Sequence, residues 1–201
     1  MNHRIEKLTE AYLPLAAQAL TNAFMNDPLQ QYVFPDDAIR KSRSIPHFEA
    51  VLRYGVLFGE VYTTEEHGGA VIWLRPGETL VTPEKAEKSG LASLPAVIGD
   101  AEFTRFISVL DFADQFHKQD MPAPHWYTMV IGVDPAFQGK GYGSSLLSPI
   151  LKEAEKTNTP VYLETAQPKN VSFYQHMGFK LIREVEEPTS QVQLWTFIKS
   201  Q

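Results

Sequence analysis

The chain has 201 residues, 43% hydrophobic and 21% charged, the size and balance of one packed domain rather than of a disordered segment. It carries a formal charge of −6 and no cysteine, which excludes a disulfide framework, a thiolate metal site and a cysteine nucleophile and argues against a nucleic-acid surface. No run approaches the ~18 apolar residues of a membrane span, and the early charges Arg4, Glu6, Lys7 and Glu10 are unlike an export signal, so a cytoplasmic protein without a membrane partner is expected.

Residues 10–26 place Tyr12, Leu13, Leu15, Ala16, Leu20, Ala23 and Phe24 in a helical rhythm that stops near Asp27-Pro28. A second helix is predicted over 36–53, followed by strands over 56–63 and 69–74 around a turn at 64–68, closed by Pro76-Gly77. Residues 83–120 read as helix broken by Pro95 and Gly99. The stretch 126–133 reads as a strand with Tyr127, Met129, Ile131 and Val133 on one face, ended by Asp134-Pro135. Tyr142, Leu146, Leu147, Ile150, Leu151 and Ala154 then form a helical stripe, which Pro149 should kink at a cost of ~3 kcal/mol. A strand over 161–165 leads to a short helix over 171–177, with Asn170 as N-cap and Gly178 as stop, and to a final strand pair over 179–186 and 191–198. Strand, helix and strand on short connections make 126–133 and 161–165 a parallel pair. The whole reads as a mixed α/β sheet in a single domain over 1–201.

Between that strand and helix runs Gln138-Gly139-Lys140-Gly141-Tyr142-Gly143-Ser144. Glycines let successive N–H groups face one anion, and a helix start adds unpaired donors and the positive end of its dipole. A Walker loop needs Lys followed by Ser or Thr, and here Gly141 follows Lys140. A dinucleotide fingerprint fits Gly139 and Gly141 but meets Ser144 at its third glycine, although an acid, Glu164, stands about 20 residues on. A connector without a ligand is the third local reading. The six histidines have no metal-ligand spacing, and no metal is expected.

Val133-x-Pro135-x-x-Gln138-Gly139-x-Gly141-x-Gly143 resembles motif A of the GNAT superfamily of acetyl-CoA-dependent N-acetyltransferases. Tyr162-Leu163-Glu164-Thr165, Pro168, Asn170, Phe173-Tyr174 and Gly178-Phe179 resemble its motif B region, in the pattern of the puromycin N-acetyltransferase-like branch. Pro124-x-Trp126, and more loosely Ala23-Phe24, Asp27-Pro28 and Ala70-Val71-x-Trp73, follow the same branch. The resemblance implies a mostly antiparallel sheet with helices on both faces, in which strands 126–133 and 161–165 splay apart to admit an acetyl group. It implies acetyl-CoA held by Ile131, Gly132 and Val133 along the strand edge, by residues Gln138, Gly139, Lys140, Gly141, Tyr142, Gly143 and Ser144 at the pyrophosphate, and by Asn170. An amide near Ile131 would serve as oxyanion donor, and Tyr174 would protonate the leaving thiolate.

The base is left to the residues themselves. A primary ammonium has a pKa near ~10.4, so some group must take its proton. The positions that carry the base in other members fall on Tyr127 and Met129, neither a ready base, which leaves Glu164 on the adjacent strand and His125 before Tyr127. Direct attack by a small-molecule amine is the expected chemistry. A protein lysine or N-terminal acetyltransferase and a non-catalytic CoA-binding module are the alternatives.

Overall fold

The computed structural model describes residues 3–200. Seven strands form one sheet in the order β1-β2-β3-β4-β5-β7-β6, antiparallel throughout except for the parallel neighbours β4 and β5. They are β1 (Ile5–Lys7), β2 (Glu60–Thr64), β3 (Gly69–Leu74), β4 (Trp126–Val133), β5 (Val161–Thr165), β6 (Lys180–Glu186) and β7 (Gln193–Lys199). The helices are α1 (Leu13–Phe24), α2 (Pro28–Val33), α3 (Asp37–Phe58), α4 (Pro83–Ser89), α5 (Leu94–Ile98), α6 (Asp100–Asp120), α7 (Tyr142–Thr157) and α8 (Lys169–His176). Among the described residues no helix is long and apolar enough to cross a membrane.

The inner strand β3 is buried along its whole length and alternates between two cores. Val71 and Trp73 join Leu146, Leu147, Ile150, Leu163 and Tyr174 beneath α7 and α8, while Ala70 and Ile72 join Leu20, Phe48 and Leu52 beneath α1 and α3. Helices on both faces therefore cover a sheet whose one parallel pair lies at its centre. The C-terminal end of α6 is tied to β6 by Arg183, which donates to Asp120 in a fork at 2.6–2.9 Å and lies over the ring of Phe116.

Several boundaries differ from the sequence reading. Residues 56–58 continue α3 as helix and β2 starts only at Glu60, because the apolar run Tyr54–Phe58 packs as helix rather than as strand. Pro95 sits in the first turn of α5, where its missing N–H costs nothing; the breaks in 83–120 fall at Gly90 and Gly99, both at positive φ. Pro149 lies inside an uninterrupted α7. The helix after β5 begins at Lys169 with Pro168 as N-cap, so Asn170 is in its first turn and does not cap it. Gly178, at φ +84, follows its end as expected.

Gly59 is where α3 turns into β2, and a Cβ there would stand 2.2 Å from the backbone oxygen of Trp73. Gly59→Ala is expected to lower the unfolding free energy by about 1–3 kcal/mol in urea denaturation; wild-type stability would show that this junction yields freely.

Candidate functional site

The parallel pair parts almost as soon as it forms. β4 and β5 pair at Trp126 with Val161 and at Tyr127 with Tyr162, and there the pairing stops. β4 stays with β3 up to Val133, and β5 stays with β7 up to Thr165 opposite Trp195, so each strand is anchored on its outer side while the inner edges diverge. A bulge lies at the divergence: Ile72 faces Val130 and Trp73 faces Thr128, leaving Met129 as an extra residue on β4.

The bulge also exchanges the faces of β4. Tyr127, Met129, Ile131 and Val133 do not share one face: Trp126, Ile131 and Val133 pack on the α7 side, while Met129 and Val130 pack on the α1 side. Gly132 follows the second group, since a Cβ there would run into Leu20, Phe24 and Ala23 of α1. Asp134 N–H donates to Gly68 at 2.9 Å, toward β3. Antiparallel alternation then turns the N–H groups of Ile131 and Val133 to the open edge.

At the end of β4 the glycine turn presents free donors. Gly139 and Gly141 have φ of +76° and +88°, and Gly141 is the N-cap of α7 without a capping side chain. The first helical bond is from Ser145 N–H to Gly141, so among the described residues no partner accepts from the amides of Gly139, Lys140, Gly141, Tyr142, Gly143 or Ser144. Nothing lies within 4 Å of a Cβ built at Gly139, which leaves that side open. These residues fit an extended diphosphate: a row of amide donors at the positive end of a 16-residue helix. The side chains brace the turn instead. Gln138 Nε2 donates to Val133 O at 2.8 Å, Lys140 Nζ to Ala136 O at 3.1 Å and Ser144 Oγ to Gly141 O at 2.9 Å, while the Tyr142 hydroxyl lies 3.4 Å from Glu66.

Where the strands part, Tyr127 donates its hydroxyl to Glu164 Oε1 at 2.6 Å. Tyr127 is the last paired residue of β4, and Glu164 is the second residue of β5 beyond the pairing. Glu164 Oε2 is buried with no partner among the described residues. Burial pushes this carboxyl up to about 7, against which the Tyr127 bond works. Tyr174, on α8, is buried between Phe173, Phe179 and Phe197. Burial, then the charges of Asp27 and Glu164, hold its phenol well above the ordinary tyrosine range, so it keeps its proton.

Asp27 belongs to the same surroundings. It caps α2 by accepting from Leu29 N–H at 3.0 Å and from Gln30 N–H at 3.4 Å, and burial raises it to about 6. Gln167 Nε2 donates to Asn26 O at 2.8 Å, which docks this α1–α2 turn on the segment after β5. Asn170 Nδ2 donates to Thr165 Oγ1 at 3.2 Å.

His125 is committed elsewhere. Its Nδ1 bonds Ala123 O at 2.7 Å and its Nε2 meets Nε2 of His117 at 2.7 Å, so both nitrogens are engaged. A carbonyl only accepts, so Nδ1 carries hydrogen; a neutral His125 then accepts at Nε2 from His117. His117 stacks on Tyr162 at 4.3 Å and approaches Tyr127 at 4.5 Å. Burial and its partner lower it to about 4, and burial lowers His125 as well. No local motif marks His117, because its partners come together only when α6 lies across the sheet.

Residues 97–181 match the family model described as Acetyltransferase (GNAT) domain. An uncharacterised N-acetyltransferase of Schizosaccharomyces pombe is 28% identical over 171 residues, covering 82% of this chain and 69% of the relative. The crystal structure of histone acetyltransferase HPA2 and related acetyltransferase from Corynebacterium glutamicum covers 100% of this chain and 97% of its own, at TM-score 0.74 and 21% identity. An agmatine N-acetyltransferase covers 98% and 99% at TM-score 0.62 and 15% identity. Arylalkylamine N-acetyltransferase 2 of Aedes aegypti covers 100% and 99% at 0.63 and 14%. At these identities the structural likeness is one of fold.

The buried carboxyl has a consequence for stability. Glu164 holds its proton in the folded chain up to about pH 7, but loses it near 4.5 once unfolded. The unfolded state therefore binds fewer protons in that window, and stability falls as the pH rises through it. Glu164→Gln removes that cost, so its unfolding free energy relative to wild type is expected to climb between pH 4.5 and 7 in urea denaturation at stepped pH. A difference that stays flat over the window would contradict the buried, proton-holding carboxyl.

Proposed function

We propose that this chain, whose residues 97–181 match the model of a GNAT acetyltransferase domain, is an acyltransferase of that type and transfers the acetyl group of acetyl-CoA to an amine of a small molecule, with both held at once. The observation that carries this reading is the parting of β4 and β5 beside a buried carboxyl oxygen, Glu164 Oε2, that has no partner among the described residues. A small-amine acceptor is supported by the fold-level neighbours named for agmatine and for arylalkylamines.

Acetyl-CoA supplies an acetyl thioester: the new C–N bond forms on the acetyl carbon as the C–S bond breaks. The amides of Gly139–Ser144 would hold the pyrophosphate, braced by Gln138 and Lys140. The open edge of β4 at Ile131–Val133 would pair with the pantetheine arm, and one of its amides would face the developing oxyanion. Asn170, through Thr165, steadies the start of α8. Glu164 Oε2 accepts the proton of the incoming ammonium, and Tyr127 holds the other oxygen in place. Tyr174 O–H gives its proton to the departing sulfur. His125, with both nitrogens engaged, supports the wall beside Tyr127 rather than taking a proton.

The test is acetyl-CoA-dependent thiol release across a panel of amines, with a no-amine blank. Release that depends on one amine class supports the reading. Binding of acetyl-CoA without release would move it to a protein acceptor or a non-catalytic module. Glu164→Gln is expected to cut kcat by about 10²–10⁴-fold and to remove the rise of kcat/KM with pH through about 7. Tyr174→Phe should lower kcat with little change in CoA affinity; full activity would remove it as the acid. Gly141→Glu, which adds a side chain at φ +88 and a negative charge at the turn, should abolish CoA binding in calorimetry while leaving the fold intact.

A further inference from the structure

We propose that His3 is a positioning residue of the anion cradle: by holding the carbonyl of Lys140, it turns the N–H of Gly141 toward the bound phosphate. This rests on the reading of the glycine turn as the seat of the CoA pyrophosphate.

His3 stands 137 residues before its partner, and its Nε2 lies 2.6 Å from Lys140 O. A carbonyl oxygen only accepts, so Nε2 carries the hydrogen and donates. Arg4 joins His3 to β1, which pairs Ile5 with Thr64 on β2, so the ring is delivered to the turn by the edge of the sheet. There it stacks on Tyr142, the first residue of α7, with ring centroids 3.8 Å apart and planes 21° apart. Its Nε2 would lie 3.9 Å from a Cβ at Gly141.

The geometry of the peptide group carries the rest. Among the described residues there is no cis peptide bond, and in a trans peptide the C=O of one residue and the N–H of the next point in opposite directions. A hydrogen bond that draws Lys140 O to His3 therefore sends the Gly141 N–H the other way, where it has no partner among the described residues. The same rule is visible at the start of the loop, where Val133 O accepts from Gln138 and Asp134 N–H donates to Gly68 on the other side. Glycine at φ +88 makes the 140–141 peptide free to turn over. Gln138 and Lys140 tie carbonyls that precede it, but the peptide between the two glycines is tied by His3. A donor that is already aimed loses less freedom when the phosphate arrives, and affinity rises accordingly.

The test is calorimetric titration of the full chain with CoA, for wild type, His3→Phe and His3→Gln, with thermal unfolding alongside. Phenylalanine keeps a ring to stack on Tyr142 but cannot donate; the glutamine amide can reach a carbonyl as donor. His3→Phe is expected to weaken CoA binding by about fivefold to tenfold, the worth of one hydrogen bond, with unchanged Tm, and His3→Gln to recover most of that loss. Wild-type affinity in His3→Phe would overturn the proposal, as would equal loss in both variants, which would mean that the imidazole itself matters. A wild-type chain that fails to bind CoA would instead overturn the reading of the turn, and the proposal with it.

Discussion

A parallel strand pair that stops bonding after two residues leaves two inner edges whose backbone groups must find partners elsewhere. In most sheets such a gap closes, because paired amides are worth more than open ones. Here the closing is opposed from both outer sides. Six register pairs fasten β4 to β3, and five fasten β5 to β7. The bulge at Met129 bends β4 within its own pairing, so that the strand diverges from β5 without losing β3. The opening is thus built into the register of the strands on either side.

The electrostatics follow from that opening. Glu164 lies where the sheet splits, out of bulk water, and the nearest ionisable groups do little to restore its charge. His117 and His125 are held neutral by burial and by their mutual bond, and Arg183 is spent on Asp120. Tyr127 supplies the one hydrogen bond that favours the ionised form. A carboxyl balanced near neutrality suits a group that must accept a proton and then release it, which a fully solvated glutamate, ionised at all relevant pH, does less well. Tyr174 is pushed in the same direction by the same burial, and there the result is a phenol that stays a donor. One apolar environment, applied to a carboxylic acid and to a phenol, yields groups suited to opposite halves of a proton-transfer sequence.

What was legible in the chain was what is local. The glycine turn, the stripe of α7 and the parallel pair around it depend on residues within about one helix length of one another, and periodicity and turn chemistry report them. The two glycines at positive φ stand where the motif put them. What was not legible depends on partners. Strict alternation along the sequence puts the wrong residues on one face of β4, because the extra residue at Met129 exists only in the pairing with β3. The end of α3 reads as strand in the sequence because Tyr54–Phe58 is apolar throughout, and such a run has no period to tell helix from strand. Asn170 has a capping side chain, but Pro168 had already started the helix, and its amide turned to Thr165 instead. Glu164 was visible as a candidate; its bond to Tyr127, which sets its character, crosses the split between strands and has no sequence signature.

The net charge of −6 poses the last question, since under the proposed function a chain that repels anions at long range would hold one at short range. Charge of that size is spread over a surface and screened within about 10 Å, whereas amide dipoles at a helix start act at contact distance, where direction counts more than sum. That shifts the burden from the number of cations to the aim of the donors. Lys140, the cation nearest the turn, is bonded to Ala136 O and lies 5.6 Å over the ring of Phe137, so it serves the loop's shape as much as its charge. The ties that matter are those that fix carbonyls, because each fixed carbonyl aims the N–H on its far side. Three come from within the turn, from Gln138, Lys140 and Ser144, and one from the start of the chain. The edge strand β1 thus does more than extend the sheet by three residues: it carries the residue that completes the bracing of a turn on the other side of β2 and β3.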